Sequence, residues 1–290
     1  MAPRGGTYAK AIVLAAMLAA GREAIAEPYA WRTAATPTAD RLEQRFAPPE
    51  GFVRVVAPEG SFAAWLRGLP VKPEGSPVLL HSGLPKWRQD VHAAVIDIDT
   101  GSRDLQQCAD AVMRLRAEWL FARGDVRRIA FNDTGGGKPM PFSRWAVGER
   151  PRPEGRALVW AKRTSADASY ASFRRYMDTV FAWAGTHSLE RELIAVRDGR
   201  VEIGDVIIKG GFPGHAVLVA DVAEHRTTGE RRFLLIQSFM PAQDMHVLKG
   251  RDTPDGSSWY RLDPGQPFAT PEWLFPPGSH RRWATGTGPG

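Results

Sequence analysis

The residue types that could do chemistry in this chain are one thiol, Cys108, one well-placed imidazole, His215, and a carboxamide, Gln237. A thiol attacks a carbonyl once an imidazole removes its proton, and a third polar group is needed to hold the imidazole in the right tautomer. His215 stands at the mouth of an apolar run, behind the glycine-rich crossing Lys209-Gly-Gly-Phe-Pro-Gly214. Such a crossing lets a ring face a ligand while its strand stays anchored in the core. Thr227 and Thr228 sit at a hairpin tip, which sets His215 opposite the region 238–240. Gln237 and Ser238 then lie within a few positions of the imidazole's partner. Gln237 closes the apolar run Phe233-Leu-Leu-Ile236, so its polarity is out of keeping with its neighbours.

Each candidate has a plainer reading. With Asp104 as N-cap, Cys108 is the fourth residue of a helix and falls on its apolar stripe, where a free cysteine is commonly inert. The helix N-terminus would instead favour its thiolate. Gln237 also fits a solvated strand end, and His215 a hydrogen-bonded structural residue. Asp205 reads as a turn aspartate bonding its own backbone, and His246 as a surface residue. Ser238 and the loop tryptophans Trp145 and Trp259 are candidates for substrate contact, since an indole face stacks on apolar ring surfaces. No His-rich metal spacing occurs, and a single cysteine excludes a multi-cysteine zinc site, so neither a metal nor another cofactor is expected.

The elements that must position these groups follow from periodicity. Leu105, Cys108, Val112, Leu115 and Trp119 recur at helical spacing, predicting a helix over 105–122 that Gly124 ends. Ser169 caps a second helix over 170–184. Alternating or continuous apolar runs predict strands over 52–56, 77–80, 91–98, 128–131, 157–162, 204–209, 215–222, 232–238, 245–248 and 259–262. Residues 132–156 read as loop. Helices preceding a run of antiparallel strands imply an α+β fold, with helices packed on an antiparallel sheet in one domain over 51–275.

The ends differ from this body. Arg4 and Lys10 precede the apolar run Ala11–Ala20, and Ala24-Ile-Ala26 is a small-x-small pattern. This is the form of a secretory signal peptide over 1–26, cleaved after Ala26, and the run is too short for a membrane span. Residues 27–50, with Pro28, Pro37, Pro48 and Pro49, read as a linker or arm, and 276–290 as a disordered tail. Hydrophobic residues are 43% and charged residues 24%, which suits a packed globule. The formal charge of +6 is modest, and no basic stripe with interleaved aromatics marks a nucleic-acid partner. It would help weakly with an anionic cell-envelope polymer.

Four blocks carry a resemblance: 104–118, 170–181, 204–217 and Gln237-Ser-Phe-Met-Pro-Ala-Gln243. Together they resemble the bacterial domain-of-unknown-function family numbered 4846, which implies an exported protein and supplies no mechanism. The block 204–221 alone is similar to the NlpC/P60 endopeptidases of the papain-like class. That similarity implies a Cys–His–polar set cleaving amide bonds in wall peptides. The chain departs from it in the long separation of Cys108 from His215, and in Ser169, where the helix just before the Gly-Asp strand offers no thiol. Two functions stay open. One is an exported, periplasmic or secreted cysteine hydrolase with Cys108, His215 and Gln237 as its catalytic set. The other is a non-catalytic envelope- or glycan-binding module on a papain-like scaffold. The oligomeric state is not legible.

Overall fold

The computed structural model describes residues 28–33, 39–155, 157–250 and 257–284. The signal peptide expected over 1–26 lies outside them. The centre is a sheet of eight strands, all antiparallel. In spatial order it runs His92–Val95, His246–Leu248, Arg231–Gln237, His215–His225, Val206–Lys209, His280–Arg282, Ile194–Ala195. Phe52–Arg54 pairs with the far end of the long His215–His225 strand.

Both faces of this sheet are covered. Alternation sends Ala216, Leu218 and Ala220 to one side, where Cys108–Ala122, Tyr170–Trp183 and Phe62–Arg67 bury it in the larger core. Val217, Val219 and Val222 go to the other side, joined by Phe233, Leu235 and Leu248. There the C-terminal segment lays Tyr260, Phe268 and Phe275 over them. A strand with both faces buried has no polar alternation. This is why the His215–His225 run reads as continuously apolar.

The expected hairpin forms, with Leu218 opposite Ile236 and a register shift between Val219 and Asp221. The α+β reading therefore holds. Several expectations need correction. The 132–156 stretch contains the Phe142–Ala146 helix and the Glu149–Glu154 strand, which pairs with Ala157–Lys162. Prolines at 151 and 153 disguised that strand, which they can enter because the ribbon has only two strands. The supposed arm is anchored: Tyr29 and Leu42 are core residues, and Tyr29 Oη donates to the Trp65 carbonyl at 3.0 Å. The supposed tail supplies His280–Arg282, a strand of the main sheet.

Candidate active site at the end of the sheet

Lys209 is the last residue of its strand, His215 the first of the next and Gln237 the last of the third. The His215 ring therefore stands at the end of the sheet, on the face that carries Val217 and Phe275. The glycines before it serve close approach rather than looseness. A Cβ on Gly214 would fall 2.2 Å from Thr186 Oγ1 and 2.6 Å from the Gly211 carbonyl, and Gly211 has φ of 118°. Thr186 Oγ1 donates to the Gly211 carbonyl (3.2 Å), and Glu190 accepts the Gly210 N–H (3.2 Å). The Thr186–Glu192 helix thus fixes the crossing and, through it, the imidazole.

The ring is 1% exposed and sits among Phe239, Trp273 and Phe275, with centroids 4.9, 5.2 and 5.7 Å away. Its Nε2 meets Gln237 Oε1 at 3.0 Å. The neighbours settle the proton positions. His246 Nδ1 donates to the Asp244 carbonyl (2.9 Å), so its Nε2 is a lone pair. Gln237 Nε2 donates to that lone pair (3.2 Å) and to Glu272 Oε2 (2.7 Å). Its Oε1 is then the acceptor, and His215 carries its proton on Nε2. Nδ1 of His215 is left bare, as a base requires. Burial pushes this imidazole down to about 4, with Gln237 opposing and the Lys86 charge reinforcing. The neutral form is the resting form.

The thiol reaches the same end of the sheet from the helix side. The helix begins at Cys108 rather than 105, so Cys108 is its first residue, not its fourth. Asp104 does not cap it. Its carboxylate accepts the Ala242 N–H at 2.6 Å instead, and Asp110 accepts the Gln107 N–H at 3.0 Å as the reciprocal cap. The Cys108 sulfur lies close to its own backbone N–H and to those of Ala109 and Ala216, the last being the residue next to His215. These donors favour the thiolate. Burial and Asp110 outweigh them and push the thiol up to about 12. Burial also pushes the Asp110 carboxyl well up, toward its uncharged form. At rest the thiol and the imidazole are therefore both neutral.

The structure accordingly brings His215 to Gln237, and the Cys108 thiol to the backbone at the mouth of the His215 strand. It does not bring the expected substrate groups into the open. Ser238 is fully buried, and its hydroxyl faces the carbonyls of Gln243 (2.9 Å) and Gln106 (3.1 Å), joining the end of the strand to the approach of the cysteine helix. Trp145 and Trp259 are buried. Their indole N–H groups donate to Ser172 Oγ (3.1 Å) and the Ala47 carbonyl (2.9 Å). Trp145 packs against the Tyr170–Trp183 helix, and Trp259 is tied to the segment 42–47, so both belong to the core. The open apolar side chains next to His215 and Gln237 in sequence include Phe212, 86% exposed, and Met240, 50% exposed.

Sequence reasoning missed Lys86 and Glu272, and His246 lies in the buried row rather than on the surface. A lysine and a glutamate in separate loops carry no local signal of meeting. Among the described residues, no group of three or more His, Cys, Asp or Glu side chains is arranged to hold a metal. No helix among them is long and apolar enough to cross a membrane.

An α+β sheet protein with a thiol and an oriented imidazole at one sheet end is the class that fold and site define. The chain belongs to the family described as domain of unknown function (4846), whose model matches residues 42–282. No curated protein and no solved structure matches it.

Proposed function

We propose that the protein is a cysteine hydrolase of papain-like arrangement. Cys108 is the nucleophile, His215 the general base and Gln237 the group that orients the imidazole. The thiol proton passes to His215 Nδ1 as sulfur attacks the substrate carbonyl carbon. The imidazolium returns that proton to the departing amine, leaving a thioester on Cys108. Water, deprotonated by the same Nδ1, then releases the acid and restores the thiol. What supports this reading is a helix-terminal thiol close to the backbone of Ala216, the residue after His215, and an imidazole oriented through Nε2 by Gln237. Phe212 and Met240, exposed on the segments that adjoin His215 and Gln237, would supply apolar contacts for a substrate.

The substrate class follows from the leader-like N-terminus. An exported hydrolase, periplasmic or secreted, meets amide bonds of the cell envelope, and wall peptides are the proposed substrate. The experiment is release of new amino groups from wall-peptide fragments, with Cys108→Ala and His215→Ala as controls. Activity lost in both supports the hydrolase; activity retained in either rejects this assignment. Mass spectrometry of the exported form, with a new N-terminus at Glu27, checks the leader.

One observation favours a second reading, a non-catalytic envelope-binding module. Cys108 is only 7% exposed and His215 1%. A binder would keep its affinity for envelope polymer in the Cys108→Ala variant and would release no amine.

A further inference from the structure

The row of hydrogen bonds does not stop at Gln237. We infer that Glu272, held by Lys86, is a positioning residue that fixes the Gln237 carboxamide and thereby selects the His215 tautomer. Its consequence for catalysis rests on the hydrolase reading, whereas the positioning itself rests on geometry alone.

A carboxamide has nearly the same shape either way round, so only its partners decide which end faces the imidazole. Turned over, Gln237 would set its N–H₂ against the His215 Nε2–H, donor against donor. Its oxygen would meet the Glu272 carboxylate and the His246 lone pair, acceptor against acceptor. Unless His215 moved its proton to Nδ1, every contact would be wrong. Of the two groups that hold the observed orientation, the carboxylate contact is the shorter (2.7 against 3.2 Å) and is charge-assisted, hence the stronger.

A carboxylate offers only acceptors, and Lys86 is the ion-pair partner that holds this one in place. Nζ donates to Glu272 Oε2 at 2.6 Å, with both side chains more than nine-tenths buried. Gln243, with its oxygen turned to Lys86, accepts from Nζ at 3.2 Å, and the ammonium lies 5.4 Å from the Phe239 ring centroid. Phe239 in turn packs on the His215 ring. The lysine also cancels a charge that, alone, would draw a proton onto His215. Glu272 arrives on a tight turn, in which the Thr270 N–H donates to the Trp273 carbonyl at 2.8 Å. The far C-terminal segment thereby completes a site begun at residue 108.

The test is long-range ¹⁵N–¹H NMR on the full chain labelled at histidine, which reports which His215 nitrogen carries the proton. The native protein should show the Nε2–H form near neutral pH, and a native Nδ1–H form overturns the inference at once. In Lys86→Met/Glu272→Leu, which removes both charges together, the ratio of Nδ1–H to Nε2–H should rise about tenfold or more, the loss of one charge-assisted bond. Glu272→Gln keeps shape and a partner for Lys86 while giving up the charge, so it should move the ratio the same way by a smaller factor. An unchanged ratio in whichever of these variants folds also overturns the inference. Cys108 alkylation, read on the same samples, separates the two claims. A tautomer that shifts as expected on a thiol that never reacts leaves the positioning role standing and removes the hydrolase.

Discussion

Of the three buried imidazoles on this sheet, His215 and His280 have one strand between them and are held in opposite ways. His215 bonds through Nε2 to the neutral Gln237 at 3.0 Å, at the sheet's end and next in sequence to Ala216, whose backbone lies close to the Cys108 thiol. His280 bonds through Nε2 to the carboxylate of Asp205 at 2.7 Å, and that carboxylate is also clamped by Arg282 at 2.6 and 2.8 Å. Asp205 further accepts the Glu202 N–H at 2.8 Å. Burial works to raise the Asp205 carboxyl, but its bonds to Arg282 and His280 hold it below the usual range. The Asp–His pair looks more like a relay than the Gln–His pair does, yet it lies among structural partners, and among the described residues the free Nδ1 of His280 is buried with no hydrogen-bond partner. It fastens the last strand to the sheet. The difference teaches that a histidine's role is read from what its free nitrogen can reach, not from the strength of its orienting bond.

The largest expected difference between the two is in activity. Cys108→Ala and His215→Ala should each lower amide hydrolysis by at least about a thousandfold. His280→Ala should leave the rate per folded molecule unchanged, as a wall-peptide assay will read. Stability should rank the other way. Asp205→Ala strips a buried anion from Arg282 and should cost about 3–5 kcal/mol in urea unfolding, enough to threaten folding.

Acid should separate the two sites by pH. His215 and His246 are pushed down to about 4 and about 3, so between the ordinary histidine value near 6.5 and those values the unfolded chain binds more protons. Stability is then complete above about pH 6.5 and falls as pH drops toward 4, by about 3 kcal/mol from His215 alone. Asp205 has the opposite chemistry and a lower window. Its contribution is present above the ordinary aspartate value near 4 and is lost only as pH falls through its depressed folded value. Denaturation followed at stepped pH should show the histidine loss first, and Gln237→Leu should alter only that part. The smallest effect is expected at Phe212→Ser. This surface change should leave stability within about 0.5 kcal/mol while raising the KM for wall peptides.

Much of this was legible in the sequence, and the gaps have physical reasons. Local periodicity revealed the cysteine helix, the long strand and its hairpin, because each lies within one window of residues. The turn at 227–228 sufficed to put Gln237 within reach of His215. The helix start was misplaced by three residues because Asp104 looks like a cap, while its carboxylate is spent on Ala242 across the fold. The strand at 280–282 was invisible because ion pairs to Asp205, rather than an apolar face, hold it. Lys86 and Glu272 meet only through tertiary structure, and no spacing rule links two loops so far apart.

The most direct test of the account is the alkylation of Cys108, the chain's one cysteine, by iodoacetamide in the folded protein near neutral pH. The thiol should react in the native state, and His215→Ala should slow it about tenfold or more, with the two rates converging in denaturant. A thiol that stays untouched until the protein unfolds, or that reacts equally fast without His215, would contradict the claim that Cys108 and His215 form one working unit.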